Sequence, residues 1–153
     1  MSIYAARNFK YIEFACPDCG KDRPIHPNLI YLLQNLRDLI KEPIYISIGG
    51  GIRCKKYNKK IRGYIDSPHL QGKAVDIHAK RTDIIYLAKQ AKEVGFNRVG
   101  LYPFSHFIHV DVIKPYPSAS WIRDIQGRYK YFKTLEEALK EGIFDRPNLS
   151  QMW

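Results

Sequence analysis

The chain has 153 residues, which is enough for one domain with a buried core and too few for two ordinary domains. Lysine and arginine outnumber aspartate and glutamate by 25 to 15, and the net charge of +10 favours an acidic partner such as nucleic acid, an anionic membrane surface or an anionic cell-wall polymer. The basic residues are scattered and no apolar run approaches the length of a membrane span, which argues against a disordered nucleic-acid-binding arm and against a transmembrane protein.

The N-terminal sequence "MSIYAARNFKYIEFACPDCG" has neither the apolar core nor the cleavage pattern of a secretory signal. We therefore expect synthesis in the cytoplasm, and any action outside the cell would require another agent to release the protein. Three cysteines, an odd number in a chain without a secretory signal, argue against a disulfide framework.

The first half of the chain carries one strong helical pattern. Apolar residues at helical spacing predict a helix in "HPNLIYLLQNLRDLIKE", with Pro27 near its start and Pro43 beyond its end. "PIYISIGGG" predicts a strand that ends in glycines, and "RCKKYNKKIRG" fits either a short helix or an irregular segment. The alternation in "KAVDIHA" then predicts another strand.

The second half predicts a helix in "RTDIIYLAKQAKEVG", stopped by Gly95, followed by a hairpin of "RVGLYP" and "HFIHVDVI". A short last helix, "KTLEEALKEG", has Thr134 as its N-cap. Because the strands look hairpin-joined, we predict an α+β fold with a small antiparallel sheet and helices packed on one face. We expect a domain over residues 1–125 and a helical extension over 126–153 that packs on it.

Two of the predicted strands carry polar side chains on one face. Asp76 and His78 alternate with apolar residues in one strand, and His109 and Asp111 do so in the other. The apolar faces would enter the core and the polar faces would point away from it. His69 lies seven positions before Asp76, a spacing that suits a turn folding the imidazole back beside the strand. We interpret His78 as a solvated strand residue.

Two histidines and one aspartate form a valid ligand set for Zn²⁺. Three protein ligands leave a fourth position for water, as in catalytic zinc sites, and such a site indicates metal-assisted hydrolysis. The alternative, on spacing alone, is ordinary hydrogen-bonded surface chemistry.

The segment "SPHLQGKAVD" resembles the S-x-H-x-x-G-x-A-x-D signature of the D-alanyl-D-alanine carboxypeptidase family of zinc peptidases, which includes phage endolysins and shares its fold with Hedgehog signalling domains. "FIHVDV" resembles the second signature of that family, and "IGGGIRCKKYNKK" resembles the segment before the first signature in phage-type members. The resemblance implies a zinc peptidase domain whose metal is held by His69, Asp76 and His109.

The same resemblance implies roles for other residues. Arg53 matches an arginine that holds and polarises the substrate, for which a guanidinium offers paired donors, although an ordinary surface arginine is the alternative. Ser67 matches a serine that contacts the substrate, with a turn residue as the alternative. Trp121 closely follows the second signature and would wall the cleft, unless it is a core aromatic residue.

The general base is ambiguous in this sequence. Several relatives have an acidic residue three positions before the last zinc histidine, whereas this chain has His106 there. His106 could take a proton from a zinc-bound water, since a histidine titrates near neutral pH. Asp111, on the same strand face as His109, could either reach that water or orient a zinc ligand. We favour Asp111 as the base.

The cysteines suggest a second metal. Cys16 and Cys19 form a C-x-x-C half of a zinc knuckle, Cys54 is a candidate third ligand and His26 a candidate fourth. The alternatives are three reduced thiols, or a disulfide that joins Cys16 to Cys19 or to Cys54 if the protein reaches the outside of the cell.

Two functions follow from these patterns. The first is a monomeric zinc peptidase that hydrolyses an amide bond in the peptide stem of bacterial peptidoglycan, as an endolysin-like endopeptidase or a D,D-carboxypeptidase. Such a protein would accumulate in the cytoplasm of a phage-infected host and escape through a holin-made lesion. The second is a non-catalytic, zinc-stabilised Hedgehog-like module that binds an acidic polymer.

Overall fold

The computed structural model describes residues 2–145 of the chain. Their strands are β1 (Tyr4–Ala6), β2 (Phe9–Lys10), β3 (Tyr45–Ile46), β4 (Ala74–His78), β5 (Arg98–Tyr102), β6 (Phe107–Asp111), β7 (Ser120–Arg123) and β8 (Tyr129–Phe132). Their helices are α1 (Pro27–Ile40), α2 (Lys55–Lys60), α3 (Ile84–Val94) and α4 (Leu135–Asp145), with 3-10 helices at Tyr11–Phe14 and Pro68–Gln71.

The two long helical patterns become α1 and α3, each with a clear start and stop. The Nδ1 atom of His26 accepts a hydrogen bond from the amide of Asn28 at the start of α1, and Pro27 occupies the first helical turn. The carboxylate of Asp83 caps α3 in the same way, and Gly95 ends it in the left-handed conformation. At the start of α4, the Thr134 hydroxyl accepts from the amide of Glu137, as predicted.

The main sheet has the strand order β3-β4-β6-β5-β7-β8, and β1 and β2 form a separate hairpin. The predicted β5–β6 hairpin is present, but the prediction of a purely antiparallel sheet is wrong, because β7 pairs with β5 in parallel. Because β4 and β5 already flank β6, the strand that follows β6 cannot pair with it. This strand, β7, pairs with the free edge of β5 instead. The sheet is therefore mixed within an α+β fold.

One face of this sheet carries the main core. Apolar side chains of β4, β5 and β6 pack there against α1, α3 and α4, as predicted, whereas α2 contributes no residue to this core. Buried members of this core include Leu33, Leu36, Val75, Leu87, Ile108, Val110 and Ala138. The polar residues of the predicted strands lie on the opposite face of the sheet.

The region after residue 125 contains more than a helix. β8 extends the sheet beside β7, and α4 places Leu135, Ala138 and Leu139 in the core. The predicted extension thus supplies a strand as well as a helix, while its residues 146–153 lie outside the described part of the chain. Among residues 2–145, no helix has the length and apolar character needed to cross a membrane.

Candidate active site

The first signature places His69 on the 3-10 helix that precedes β4. Pro68 opens this helix, the hydroxyl of Ser67 accepts from the amide of His69 at 3.3 Å, and Gly72 ends it with a positive φ of 65°. A Cβ atom on Gly72 would lie 2.3 Å from the carbonyl oxygen of Pro24, so both conformation and close approach require glycine here. The imidazole of His69 is consequently fixed against the sheet and buried.

Asp76 lies at the centre of the cluster on the polar face of β4. Its Oδ1 atom is 3.4 Å from Nε2 of His69 and 3.1 Å from Nδ1 of His109. Its Oδ2 atom is 3.2 Å from a guanidinium nitrogen of Arg53. One carboxylate oxygen therefore faces both imidazoles, while the other is held by a cation.

The remaining ring nitrogens are also held. Nδ1 of His69 is 2.9 Å from the carbonyl oxygen of Gly51, an acceptor that requires this nitrogen to carry its proton and leaves Nε2 free. Nε2 of His109 lies 2.7 Å from a carboxylate oxygen of Asp111. In both histidines the nitrogen that points away from Asp76 is fixed by an acceptor, and the nitrogen beside Asp76 is the one available to a ligand.

Asp111 is fully buried and lies beneath His109 rather than in an open cleft. Arg98, directly opposite on β5, donates to both of its oxygens at 2.9 and 3.2 Å, and the amide of Ile113 donates to Oδ1 at 3.1 Å. These oxygens are occupied and closed to solvent, and the role of Asp111 as the base stays a prediction. The placement fits the alternative in which Asp111 orients His109.

Burial and charge set different protonation states for these groups. Burial lowers the pKa of His69, so its ring is neutral at pH 7. Burial also opposes the charge on His109, but hydrogen bonds to Asp111 and Asp76 outweigh it and raise the pKa to about 9. Burial would raise the pKa of Asp76, yet the two histidines hold it below the usual range. In the metal-free protein the His109 ring is thus an imidazolium between two carboxylates.

The donor atoms have the spacing that a tetrahedral metal needs. Ligands about 2.1 Å from a zinc ion lie about 3.4 Å from one another. Oδ1 of Asp76 lies 3.1 Å from Nδ1 of His109 and 3.4 Å from Nε2 of His69, close to this ligand–ligand distance. All three donor atoms lie within 4.8 Å of one another. The residues therefore fit a divalent ion with two imidazoles and one carboxylate, and displacement of one proton from His109 would complete the set.

The cluster continues as a row of residues across the sheet, in which Trp121 covers His109. Asp76, His109, Gly100, Trp121 and Tyr131 are successive partners on neighbouring strands. The indole of Trp121 crosses over Gly100 and packs on the His109 ring, with centroids 4.9 Å apart. A Cβ atom on Gly100 would lie 2.3 Å from the indole, so only glycine admits this packing. Asp76, His109 and Trp121 are therefore buried, although they lie on the sheet face opposite the main core.

The structure places the other predicted residues as follows. Arg53 is half-buried beside Asp76, with its Nε atom donating to the carbonyl of Gly49 at 2.7 Å. Ser67 is buried and its hydroxyl caps the helix of His69, while its contact with the substrate stays a prediction. His106 is exposed, with a positive φ of 57°, in the turn before β6, and among residues 2–145 no hydrogen bond or ion pair joins it to the cluster.

The three cysteines are brought together at a separate place. Their sulfur atoms lie within 4.8 Å of one another, next to the loop that carries Arg53. His26 does not join them, because its Nδ1 atom caps α1.

The family model for peptidase M15 matches residues 7–111, about two thirds of the chain. This span contains the first signature and all of the second except Val112. The chain belongs to the peptidase M15 family. The resemblance seen in the two signatures is confirmed, while the likeness to Hedgehog domains stays a prediction.

Curated relatives of this M15 member include the peptidoglycan L,D-endopeptidase MepK of Escherichia coli (strain K12) and the protein of the same name from Shigella flexneri. Each is 28% identical over 97 residues, which cover 60% of this chain and 53% of the relative. The chain thus spans about half the length of the curated relatives it matches.

Two contributors to this M15 site were missed in the sequence. Arg98 holds Asp111, and Tyr102 accepts a hydrogen bond from the indole of Trp121 at 3.0 Å. Both residues alternate with apolar Val99 and Leu101 in "RVGLY", so the period of two that revealed Asp76 and His109 also marks them.

Proposed function

We propose that the chain is a zinc-dependent peptidase that hydrolyses an amide bond in the peptide stem of bacterial peptidoglycan. The single observation that carries the zinc is the buried group of His69, Asp76 and His109, whose donor atoms have tetrahedral spacing. Membership of the M15 family and the similarity to the peptidoglycan L,D-endopeptidase MepK support the reaction and the substrate class.

Zinc bound at these residues would polarise a substrate carbonyl and activate a water. The protein's own contribution is positional. Asp111 holds the His109 ring through Nε2, and Arg98 balances the charge of Asp111. The carbonyl of Gly51 fixes the His69 ring, and Trp121 covers one side of His109. These contacts hold the ligands before any metal arrives, which reduces the reorganisation that binding requires.

Arg53 is the residue proposed to hold the substrate. Its guanidinium is anchored by Gly49 and Asp76 and is half-buried at the edge of the cluster. A cation fixed in this way can receive a carboxylate or the charge that develops on the scissile carbonyl oxygen.

Beyond Trp121, a wall of tyrosines continues along the same face of the sheet. Tyr129 and Tyr131 of β8 stack with centroids 6.2 Å apart, and the hydroxyl of Tyr131 lies 2.6 Å from that of Tyr64. A pocket of about 260 Å³ opens between Tyr102 and Arg123 at one end of this wall. We propose that the wall and pocket receive parts of the stem on either side of the scissile bond.

His106 remains the proposed proton carrier, because Asp111 is enclosed. His106 lies in an exposed turn and keeps access to water, and an imidazole can accept and donate a proton. We also retain, as proposals, action as a monomer on the wall of a phage-infected bacterium and the choice between endopeptidase and D,D-carboxypeptidase activity.

The test uses the purified full chain and purified peptidoglycan sacculi of several stem chemistries. Metal content is measured by mass spectrometry, and new amino and carboxyl termini are identified by liquid chromatography with mass spectrometry. We expect zinc-dependent release by the wild type. In His109→Ala we expect loss of the zinc ion held with His69 and Asp76, together with loss of release. His78→Ala, which lies on the same face outside the donor set, is the matched control and should retain both.

The outcomes separate the alternatives. Bound zinc without hydrolysis of any stem would favour the non-catalytic binding module. Hydrolysis that persists in His109→Ala after loss of the zinc at His69 and Asp76 would place the active site elsewhere. The bond that is cut identifies the activity within the class.

A further inference from the structure

A second cluster of metal-ligating side chains lies outside the site of His69, Asp76 and His109. Cys16 and Cys19 come from the turn after the first 3-10 helix, and Cys54 comes from the residue before α2. The fold brings these two segments, 38 residues apart in sequence, into contact through their sulfurs. Cys16 is buried, Cys54 is half-buried and Cys19 is exposed, so the cluster reaches from the core to the surface.

The sulfur spacing fits ligands of one metal ion. A tetrahedral zinc ion with Zn–S bonds of about 2.3 Å places its sulfur ligands about 3.8 Å apart. The sulfurs of Cys16 and Cys54 are 3.7 Å apart, whereas a disulfide would need about 2.05 Å. A disulfide would also use two of the three sulfurs and leave the third beside it.

Backbone donors point at these sulfurs. The amide of Cys54 lies 3.5 Å from Sγ of Cys16, and the amide of Tyr57 lies 3.4 Å from Sγ of Cys54. Amide donors of this kind favour negative charge on sulfur and orient it, as outer partners of metal ligands do. The turn itself is closed by a hydrogen bond of 2.8 Å from the amide of Gly20 to the carbonyl of Cys16.

We propose that the thiolates of Cys16, Cys19 and Cys54 bind a structural Zn²⁺ ion, distinct from the ion at His69, Asp76 and His109. The fourth position falls to water or to Asp18, whose Oδ2 atom is 3.6 Å from Sγ of Cys54. Zinc accepts both thiolate and carboxylate ligands in this geometry.

Such an ion would tie the N-terminal segment to the loop that positions Arg53. That loop already meets the segment through a hydrogen bond of 2.8 Å from the amide of Ile52 to the carbonyl of Phe14. It also meets the other site, because the amide of Arg53 donates to the carbonyl of His69 at 3.2 Å. The metal would therefore stabilise the arrangement of Arg53 beside Asp76 without contacting the substrate.

The experiment is metal counting combined with cobalt spectroscopy on the full chain, prepared under reducing conditions with zinc. We expect about two equivalents of zinc in the wild type, and about one in His109→Ala and in the triple variant Cys16→Ser/Cys19→Ser/Cys54→Ser. After replacement by Co²⁺, a sulfur-to-cobalt charge-transfer band should appear in the wild type and in His109→Ala and be absent from the triple variant. Circular dichroism checks that each variant is folded.

If the triple variant fails to fold, Cys19→Ser serves in its place, because its side chain is exposed and the core is untouched. It should weaken the cobalt band and bind the second zinc less tightly. One zinc in the wild type, no thiolate band and three titratable thiols would overturn the proposal, as would a mass two hydrogens lower, which reports a disulfide. Because the readouts are metal and sulfur rather than hydrolysis, failure of the peptidase proposal leaves this test intact.

Discussion

Among the residues of this site, Asp111 is the one whose substitution has the most specific expected effect. Its carboxylate fixes Nε2 of His109, accepts from Arg98 and is closed to solvent. Asp111→Asn preserves the shape of the side chain but removes its negative charge. The His109 ring then loses its anionic acceptor, and Arg98 loses its ion-pair partner. Above pH 9, where His109 of the wild type has already lost its extra proton, we expect zinc affinity to fall by about 10–100-fold, as for other partners of metal-ligating histidines. Chelator competition measures this, and Asp124→Asn, in an exposed pair with Arg128, should leave it unchanged.

The pH dependence of zinc binding checks the same contact independently. In the metal-free protein the pKa of His109 is raised to about 9, so at pH 7 zinc must displace a proton. Apparent affinity should therefore rise between pH 7 and 9 and flatten above pH 9. In Asp111→Asn one interaction that raises this pKa is lost, so the rise should end at a lower pH. An identical profile in the two proteins would mean that Asp111 does not control the protonation of His109.

For individual residues, the sequence predicted which side chains form the site, but it did not predict their burial or their hydrogen-bond partners. Alternation marked Asp76 and His109, and the fold brings them together with His69. It did not reveal that Asp111 is enclosed, because enclosure depends on Arg98 and on chain segments from other strands. Ser67 likewise matched a signature, yet its hydroxyl is used locally to cap the helix of His69.

Among the secondary-structure elements, β7 contributes to the site because it pairs with β5. The indole of Trp121 on β7 crosses over Gly100 on β5 and packs on His109. Gly100→Ala would place a methyl group inside the indole of Trp121, and we expect a loss of about 1–3 kcal/mol in the free energy of unfolding with displacement of the indole from His109. Trp121→Ala removes the obstacle, so the double variant should be less destabilised than the sum of the two single changes. Chemical denaturation measures the three proteins, and simple additivity would contradict the contact.

The elements with a strong period were predictable and the short ones were not. α1, α3 and the β5–β6 hairpin follow from spacing and from boundary residues, such as Pro27 at the start of α1 and Gly95 at the end of α3. β7 and β8 are only four residues each, and their pairing depends on which sheet edge remains free. A local pattern contains no information about that edge, which is why the parallel pair was missed.

For the whole molecule, the net charge of +10 matters because the proposed substrate is an anionic polymer. Lys56 and Lys59 are exposed on α2, whose buried Asn58 lies 3.4 Å from the guanidinium of Arg53. Positive charge is thus presented next to the site. Lys89 and Lys140 are also exposed, but on α3 and α4, which cover the other face of the sheet.

These two pairs separate local charge from net charge. Lys56→Glu/Lys59→Glu and Lys89→Glu/Lys140→Glu each lower the net charge from +10 to +6. We expect the first double variant to act roughly tenfold more slowly on sacculi at low salt, with the difference shrinking as salt screens the charges. The second should stay near the wild type, and both should cleave a small soluble stem peptide normally. Equal losses on sacculi would assign the effect to net charge rather than to α2.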